Sequence, residues 1–253
     1  MKKLLFLPLI FICLIGKGQF ALEKPENTDT AYTIPMITLS YAYQWVGGDL
    51  SDRFGPNSNI GGSFMVKTKR NWLYGLKGNF IWGGKVKENT ILNNLTTNSN
   101  EIIDDNGRLT VAYFGERGSS FFVFGGKLIN KFAPNKNSGF IIYGGFGMLQ
   151  HKISLKFQDD IIFLTDEYKK GYDRFSLGYA VNGFAGYLFL SKNRLLNFFG
   201  GIDYTHGWTK SLRKYNYDTQ ESDTRTYTNT LYGIRVGWII RLNKRKQQSF
   251  YYN

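Results

Sequence analysis

At 253 residues, with 17% aromatic residues, 29 glycines and a formal net charge of +13, the chain is long enough for one domain with a sizeable core. A mean hydropathy of -0.30 excludes a bundle of membrane helices, and a single cysteine excludes a scaffold built on disulfides.

At the amino terminus Met1-Lys2-Lys3 precedes an apolar run from Leu4 to Ile15 and the small-residue spacing Gly16-Lys17-Gly18, which reads as a secretory signal peptide over 1–18. The run holds about a dozen apolar residues, fewer than the roughly 20 that a spanning helix needs. The lone cysteine, Cys13, follows bulky Ile12, a poor context for lipoprotein processing. Loss of Lys2, Lys3 and Lys17 with the leader takes the formal charge from +13 to +10. A polar segment, 19–32, leads into the main domain, 33–243, and a basic, Tyr-rich tail occupies 244–253.

The main domain reads as short alternating segments. The first strand runs from Ile34 to Val46, with Ile37, Leu39, Tyr41, Tyr43 and Trp45 on one face and Thr38, Ser40, Ala42 and Gln44 on the other. A loop from Gly47 to Asn57 precedes a second strand, Asn59 to Thr68, which turns at Lys69-Arg70-Asn71 into a third. There Trp72, Tyr74, Leu76, Phe80 and Trp82 alternate with Leu73, Gly75, Lys77, Asn79 and Ile81. Gly83 to Gly107 is a long Asn-rich loop with a helical turn near Ile91 to Leu95. The segment Arg108 to Phe114 is taken as the upper part of one long fourth strand that continues through Phe122 and Phe124 to Leu128.

A turn from Asn130 to Ser138 leads to a fifth strand, Phe140 to Lys156, with Ile141, Tyr143, Leu149, Ile153 and Leu155 opposite Gln150, Lys152, Ser154 and Lys156. After a loop from Phe157 to Asp173, the sixth strand sends Phe175, Leu177, Tyr179, Val181, Tyr187 and Phe189 outward. The turn Ser191-Lys192-Asn193-Arg194 joins it to a seventh, with Leu196, Phe198, Ile202 and Tyr204 outward. A polar loop, Thr209 to Thr228, precedes the eighth, Thr230 to Leu242. There Tyr232, Ile234, Val236, Trp238 and Ile240 oppose Gly233, Arg235, Gly237 and Arg241.

One face apolar and the other small or polar, with short turns alternating with long loops, describes an all-β, eight-stranded antiparallel transmembrane β-barrel. A secreted β-sandwich shares the short strands, but it does not account for the aromatic residues near strand ends or for the strict loop alternation. The expected location is the outer membrane of a Gram-negative cell, with long loops extracellular and short turns periplasmic.

By that convention the acidic residues Asp49, Asp52, Asp104, Asp105, Asp159, Asp160, Asp166, Glu167, Asp218, Glu221 and Asp223 avoid the periplasmic turns. Lys69, Arg70, Lys131, Lys136, Lys192, Arg194, Lys244, Arg245 and Lys246 gather at the periplasmic rim. Such a rim suits phosphate head groups or an acidic periplasmic partner, and the compartment excludes nucleic acid. Eight strands leave room only for side chains, so a packed polar lumen without a solute channel is expected. The parities point Lys67, Lys77, Lys127, Lys152, Asp203 and Arg235 inward, and Asp203 is expected to pair with Arg235 or with Lys77 as a structural centre.

Candidates for catalysis are few. His151 and His206 are the only histidines, each near an extracellular strand end, and neither has a partnering serine at a suitable position. Asp159-Asp160 and Asp166-Glu167 lack EF-hand spacing and read as solvated loop acids, so no metal or cofactor is expected.

The Lys-Lys leader ending Gly-Lys-Gly-Gln, Gly171-Tyr172-Asp173-Arg174, Gly237-Trp238-Ile239-Ile240 and the end Phe250-Tyr251-Tyr252-Asn253 together resemble small PorT-like outer-membrane barrels of Bacteroidota. The architecture also looks like the OmpA transmembrane domain and OmpX. The PorT-like resemblance implies an accessory role beside type IX secretion, gliding or barrel-assembly machinery. The chain departs from the OmpA pattern in lacking a peptidoglycan-binding domain and in ending on a basic tail instead of a terminal phenylalanine. The expected function is a non-enzymatic structural or accessory subunit of an envelope complex, in contact with outer-membrane lipid, lipopolysaccharide and a protein partner. The alternatives are a surface-loop binding or adhesion protein, using Tyr215 and Tyr217, and an outer-membrane lipid hydrolase using His151 or His206.

Overall fold

The computed structural model describes residues 31–92, 94–96, 102–103, 107–158, 165–191, 196–213 and 215–242. Eight long strands form the wall: β1 (Ile34–Gly48), β2 (Asn57–Lys67), β3 (Trp72–Gly83), β6 (Ala112–Ile129), β7 (Gly139–Phe157), β8 (Ser176–Leu190), β9 (Asn197–Ser211) and β10 (Thr226–Arg241). Every neighbouring pair is antiparallel, and β1 pairs with β10 from Met36 opposite Arg241 to Gly48 opposite Asn229, which closes the barrel. No described helix is long and apolar enough to cross a membrane, so any crossing is by strands. A closed wall leaves no unpaired backbone edge, the condition for a sheet to sit in hydrocarbon.

The long connections carry minor elements. Helix α1 (Leu50–Arg53) lies between β1 and β2, and α2 (Asp166–Lys169) lies between β7 and β8. The connection from β3 to β6 contains a 3-10 turn at Asn89–Leu92 and a small ribbon of β4 (Ile102–Ile103) with β5 (Leu109–Thr110). This corrects the expected long fourth strand. The chain leaves the wall before Ala112, and Leu109 and Thr110 pair with their own loop instead of with the barrel. The opposite ends are tight. Between β2 and β3, Asn71 takes a left-handed φ of 62°, which a short polar side chain tolerates in a turn.

Outward residues are apolar through the middle of the wall. On β3 the run from Trp72 to Trp82 covers ~25 Å of barrel height, at about 3.3 Å per residue and a tilt of roughly 40°. Aromatic pairs mark both limits: Trp72 stacks on Tyr74 and Phe80 on Trp82, with Trp45 against Tyr232 at the upper level. At the lower limit Lys127 points outward, its Nζ 4.5 Å from the Trp72 ring centroid, and not into the lumen as the parity suggested. An outward lysine is tolerated there because its head reaches the interface while its stem stays in the apolar layer.

Strand β7 overturns a second expectation. Ile141, Tyr143, Leu149 and Ile153 face the lumen, whereas Phe140, Ile142, Phe146, Met148 and then Lys152 face outward. Both faces of this strand are apolar at membrane depth, so periodicity alone cannot orient it. Above the membrane the outside is wet, and a polar row such as Lys152, Ser154 and Lys156 no longer marks the interior.

Nor is the lumen a uniform polar core. Its periplasmic third is an apolar plug of Ile34, Met36, Met65, Leu73, Phe124, Leu128, Ile141, Tyr143, Phe184, Leu188, Phe199 and Ile239. A polar layer follows, and above it Ile81, Phe122, Leu149, Ile153 and Leu231 pack with the loop residues Leu50, Phe54, Ile91, Leu92 and Tyr172. The large rings of the plug stack on one another: Tyr143 and Phe184 lie 5.0 Å apart, and Phe124 and Tyr143 lie 4.6 Å apart. They fit because the positions facing them are glycine. A Cβ on Gly75 would stand 2.7 Å from Phe124, and one on Gly237 would stand 2.4 Å from Phe199.

The periplasmic mouth is sealed by the 130–138 turn. Buried Lys67 donates to Asn137 Oδ1 at 2.9 Å and to Tyr32 O at 3.3 Å, while Arg241 donates to Ser191 O at 2.7 Å. At the other end Asp49 ties the first long loop to β10. Its backbone N–H donates to Thr228 O, and its carboxylate accepts from Thr228 N at 2.7 Å and from Arg225 at 3.0 Å. Since Arg225 is mostly exposed, the backbone bond carries most of the effect. Asp49→Ala is expected to lower stability by about 1 kcal/mol and to speed protease cleavage in the 49–56 loop without loss of the barrel. Unchanged cleavage would show that the tie is idle.

Candidate functional site

Two constellations contain the chemistry: a charged layer inside the wall and a tyrosine-lined cup outside the cell. The inner layer gathers the three residues of the expected lumen cluster. Asp203 on β9 accepts from Arg235 Nη2 at 2.9 Å through Oδ2, and from Lys77 Nζ at 3.2 Å through Oδ1. Arg235 comes from the adjacent strand, whereas Lys77 reaches across the lumen from β3, so the two candidate partners share one carboxylate. Asn182 fills the remaining positions, accepting from Lys77 at 2.7 Å and donating to Asp203 at 3.2 Å and to Thr205 at 2.9 Å. Arg235 Nη1 is held by Ser40 Oγ at 2.9 Å and Asn79 Oδ1 at 3.1 Å. The three charged side chains are 4% exposed or less and lie between two apolar clusters. Such a group can hold the wall together.

The two histidines sit in different surroundings. His151 faces the lumen, buried against the edge of Phe54, with Nε2 3.2 Å from Asn229 Nδ2. His206 points outward between Tyr204 and Trp208, its Nδ1 3.2 Å from Thr230 Oγ1. Among the described residues no cluster of acids, histidine and cysteine could hold a metal ion. Of the basic rim, Lys69 and Arg70 stand exposed on the β2–β3 turn. Lys192, Arg194, Lys244, Arg245 and Lys246 lie outside the described residues, as do the signal peptide and Tyr251-Tyr252.

The extracellular loops form a braced cap. Glu88 of the second long loop contacts Arg53 of the first at 3.8 Å and Arg174 of the third at 3.5 Å. Arg53 reaches Asp223 and Arg174 reaches Asp218, both in the fourth, so one ionic network joins all four long loops. A second tie is bidentate: Arg213 donates to both Asp173 oxygens, at 2.8 and 2.6 Å, and that carboxylate raises the arginine further above its ordinary range. The acids of this network are Glu88, Asp173, Asp218 and Asp223. Their arginine partners lie in other loops, and no spacing rule connects them.

On this base sits a cup of about 400 Å³, lined by Tyr168, Tyr172, Tyr215, Tyr217, Asn94, Leu95 and Gln220. The tyrosines form a contiguous group, Tyr168 to Tyr217 at 5.3 Å, Tyr172 to Tyr217 at 5.6 Å and Tyr215 to Tyr217 at 6.2 Å between centroids. Gly171 makes this packing feasible, since a Cβ there would meet the Tyr217 ring, and the Tyr217 N–H donates to Gly171 O at 3.1 Å. Tyr168, Tyr215 and Tyr217 remain more than a third exposed, while Tyr172 is buried. Burial, with Tyr168 beside it, pushes the Tyr172 phenol above its ordinary range, so the hydroxyl stays protonated and able to donate. Tyr215 and Tyr217 stand out in the sequence as loop aromatics; Tyr168 and Tyr172 join them only through folding.

A closed eight-stranded wall, an apolar outer band bounded by aromatic pairs and a filled lumen define an outer-membrane β-barrel of the Gram-negative envelope. The fold is similar to that of Ail, the attachment invasion locus protein of Yersinia pestis. One of its structures is free and one is in complex with the heparin analogue sucrose octasulfate. Identity is 12% in both cases, over 83% of this chain and 99% of Ail, with TM-scores of 0.38 and 0.36 respectively. No protein-family model matches the chain, and no curated protein matches it.

Proposed function

We propose that this barrel is a non-enzymatic surface-recognition protein whose extracellular cap binds a saccharide in the tyrosine cup. The carrying observation is the cup itself: exposed aromatic faces converge with the carboxamides of Asn94 and Gln220 above a cap braced by ion pairs. Pyranose rings present C–H faces that lie well on aromatic rings, and amides and phenols satisfy their hydroxyls. Tyrosine supplies this area at low conformational cost, and an aromatic group far above the membrane layer has no anchoring duty there.

This reading favours the surface-loop alternative over the accessory-subunit and lipid-hydrolase ones. The accessory role is what the PorT-like resemblance implies, and most of its basic rim lies outside the described residues, whereas the residues lining the cup are described. His151 is buried, and the hydroxyls beside the two histidines are the wall threonines Thr209 and Thr230, which is the reason for preferring binding to hydrolysis. The test is a glycan array probed with the folded full chain in detergent. Wild type is expected to retain at least one saccharide class, with affinity falling about thirtyfold in Tyr217→Ala and further in Tyr215→Ala/Tyr217→Ala. Absence of binding by folded wild type across the array, or equal binding by the double variant, would sink the idea.

A further inference from the structure

The outer wall carries a second built feature, well away from the cup. Arg117 on β6 and Lys152 on β7 are direct cross-strand partners, and both point outward. Trp82 on β3 flanks Arg117 on its other side, at the upper limit of the apolar band. Four residues further up, Tyr113 pairs with Lys156, again outward. Between the two rows the wall is floored by Gly115 opposite Ser154, which leaves a cleft of about 200 Å³ lined also by Gly83, Gly84 and Phe114. The Arg117 guanidinium leans over this floor, since a Cβ on Gly115 would stand 3.6 Å from its Nη1.

Like charges directly opposite on an antiparallel pair repel. Among the described residues none of Arg117, Lys152 and Lys156 is in an ion pair, and Arg117 makes one hydrogen bond, to the neighbouring Glu116 carbonyl at 2.7 Å. Arg117 and Lys156 line the Gly-Ser floor with Lys152 beside them, and the neighbouring Glu116 carboxylate turns inward to accept from Asn57, so among the described residues the outer face of this cluster has no anion. Height selects the anion's source. The cleft begins where the hydrocarbon layer ends and opens sideways, so a group held in it comes from the head-group layer of the outer leaflet, its acyl chains continuing down past Phe121 and Phe146.

We propose that this cleft is a binding site for the phosphate of an outer-leaflet glycolipid, the head group of lipid A. Arg117 and Lys156 clamp the phosphate over Gly115 and Ser154, Lys152 neutralises it from below, and Trp82 and Tyr113 border the sugar. The site is independent of the cup, and loss of one leaves the other intact.

The test uses the full chain, folded in detergent and titrated with three probes: diphosphorylated lipid A, the same lipid stripped of phosphate, and inorganic phosphate. Wild type is expected to bind the diphosphorylated lipid on the order of a hundredfold more tightly than Arg117→Gln/Lys152→Gln/Lys156→Gln. Lys131→Gln/Lys136→Gln, at the periplasmic turn, is expected to bind like wild type. All three proteins are compared by heat-resistant gel mobility first, and the single variant Lys156→Gln stands in if the triple variant does not fold. Equal affinity of wild type for the phosphate-free lipid would overturn the proposal, as would undiminished binding by the triple variant, or by Lys156→Gln where it stands in. Binding of inorganic phosphate as tight as that of the lipid would overturn it too, by making the cleft a free-anion site.

Discussion

Replacing Asp203 with alanine is expected to cost about 3–5 kcal/mol, the range found when one member of a buried ion pair is removed. The carboxylate is the common acceptor of Lys77 and Arg235, which come from opposite sides of the lumen and are almost fully buried. Without it two cations face each other in an enclosed layer, with only neutral acceptors on Asn182, Ser40 and Asn79. The folded, heat-resistant band on a gel should weaken or vanish, and the melting temperature in detergent should fall. A control separates charge from packing. Replacing all three together by apolar residues, Lys77→Met/Asp203→Leu/Arg235→Met, should recover much of the loss, because apolar groups of similar size are often at least as stable in such layers. If Asp203→Ala folds with unchanged mobility and melting temperature, the charged layer is not a structural centre.

Gly201→Val should be comparably severe, for a steric reason. Gly201 on β9 and Gly186 on β8 are direct partners on the lumen face, and the Phe184 ring lies over both. A Cβ at Gly201 would stand 2.3 Å from Ala185 O, 2.5 Å from Gly186 Cα and 2.8 Å from Phe184 Cζ. Two of those atoms belong to the wall, so a rotamer change cannot relieve the contact. Valine should therefore cost about 3 kcal/mol or more, at the upper end for an overpacked core. Trimming the ring in Gly201→Val/Phe184→Ala should restore little, because the backbone clash persists. Restoration to wild-type stability by that pair would place the constraint on the ring alone. By contrast Gly200, one position away, faces outward and has only Val236 and a backbone oxygen near it, so Gly200→Val should leave the stability within about 0.5 kcal/mol of wild type.

The two kinds of glycine look alike in the sequence, as do lysines on opposite sides of the wall. Strand β10 was legible because its outward row is apolar throughout, while its inward row between Gly233 and Arg241 is Gly or Arg at all positions but Ile239. Asp203 was legible for the same reason, since Ile202 and Tyr204 mark the outward face on either side of it. Strand β7 was not. Tyr143 and Phe146 are both aromatic, one in the lumen plug and one in the lipid layer, and only the register against β6 and β8 tells them apart. Lys152 then follows the orientation of its strand, and so a residue read as a lumen charge becomes part of an outer cleft. Sequence periodicity reports a contrast between two environments, and the contrast disappears where both sides are apolar or both are wet.

Strand number, the order of short turns and long loops, and the membrane-facing row of strands such as β1 and β10 were determined by the sequence itself, because each rests on neighbours along the chain and on the two-residue period of a strand. Tertiary structure alone decided what meets across space: Lys77 with Asp203 through the lumen, Glu88 with Arg53 and Arg174 between loops, and Tyr168 with Tyr217 in the cup. Those contacts join residues tens to more than a hundred positions apart, and barrel closure, not local propensity, brings them together.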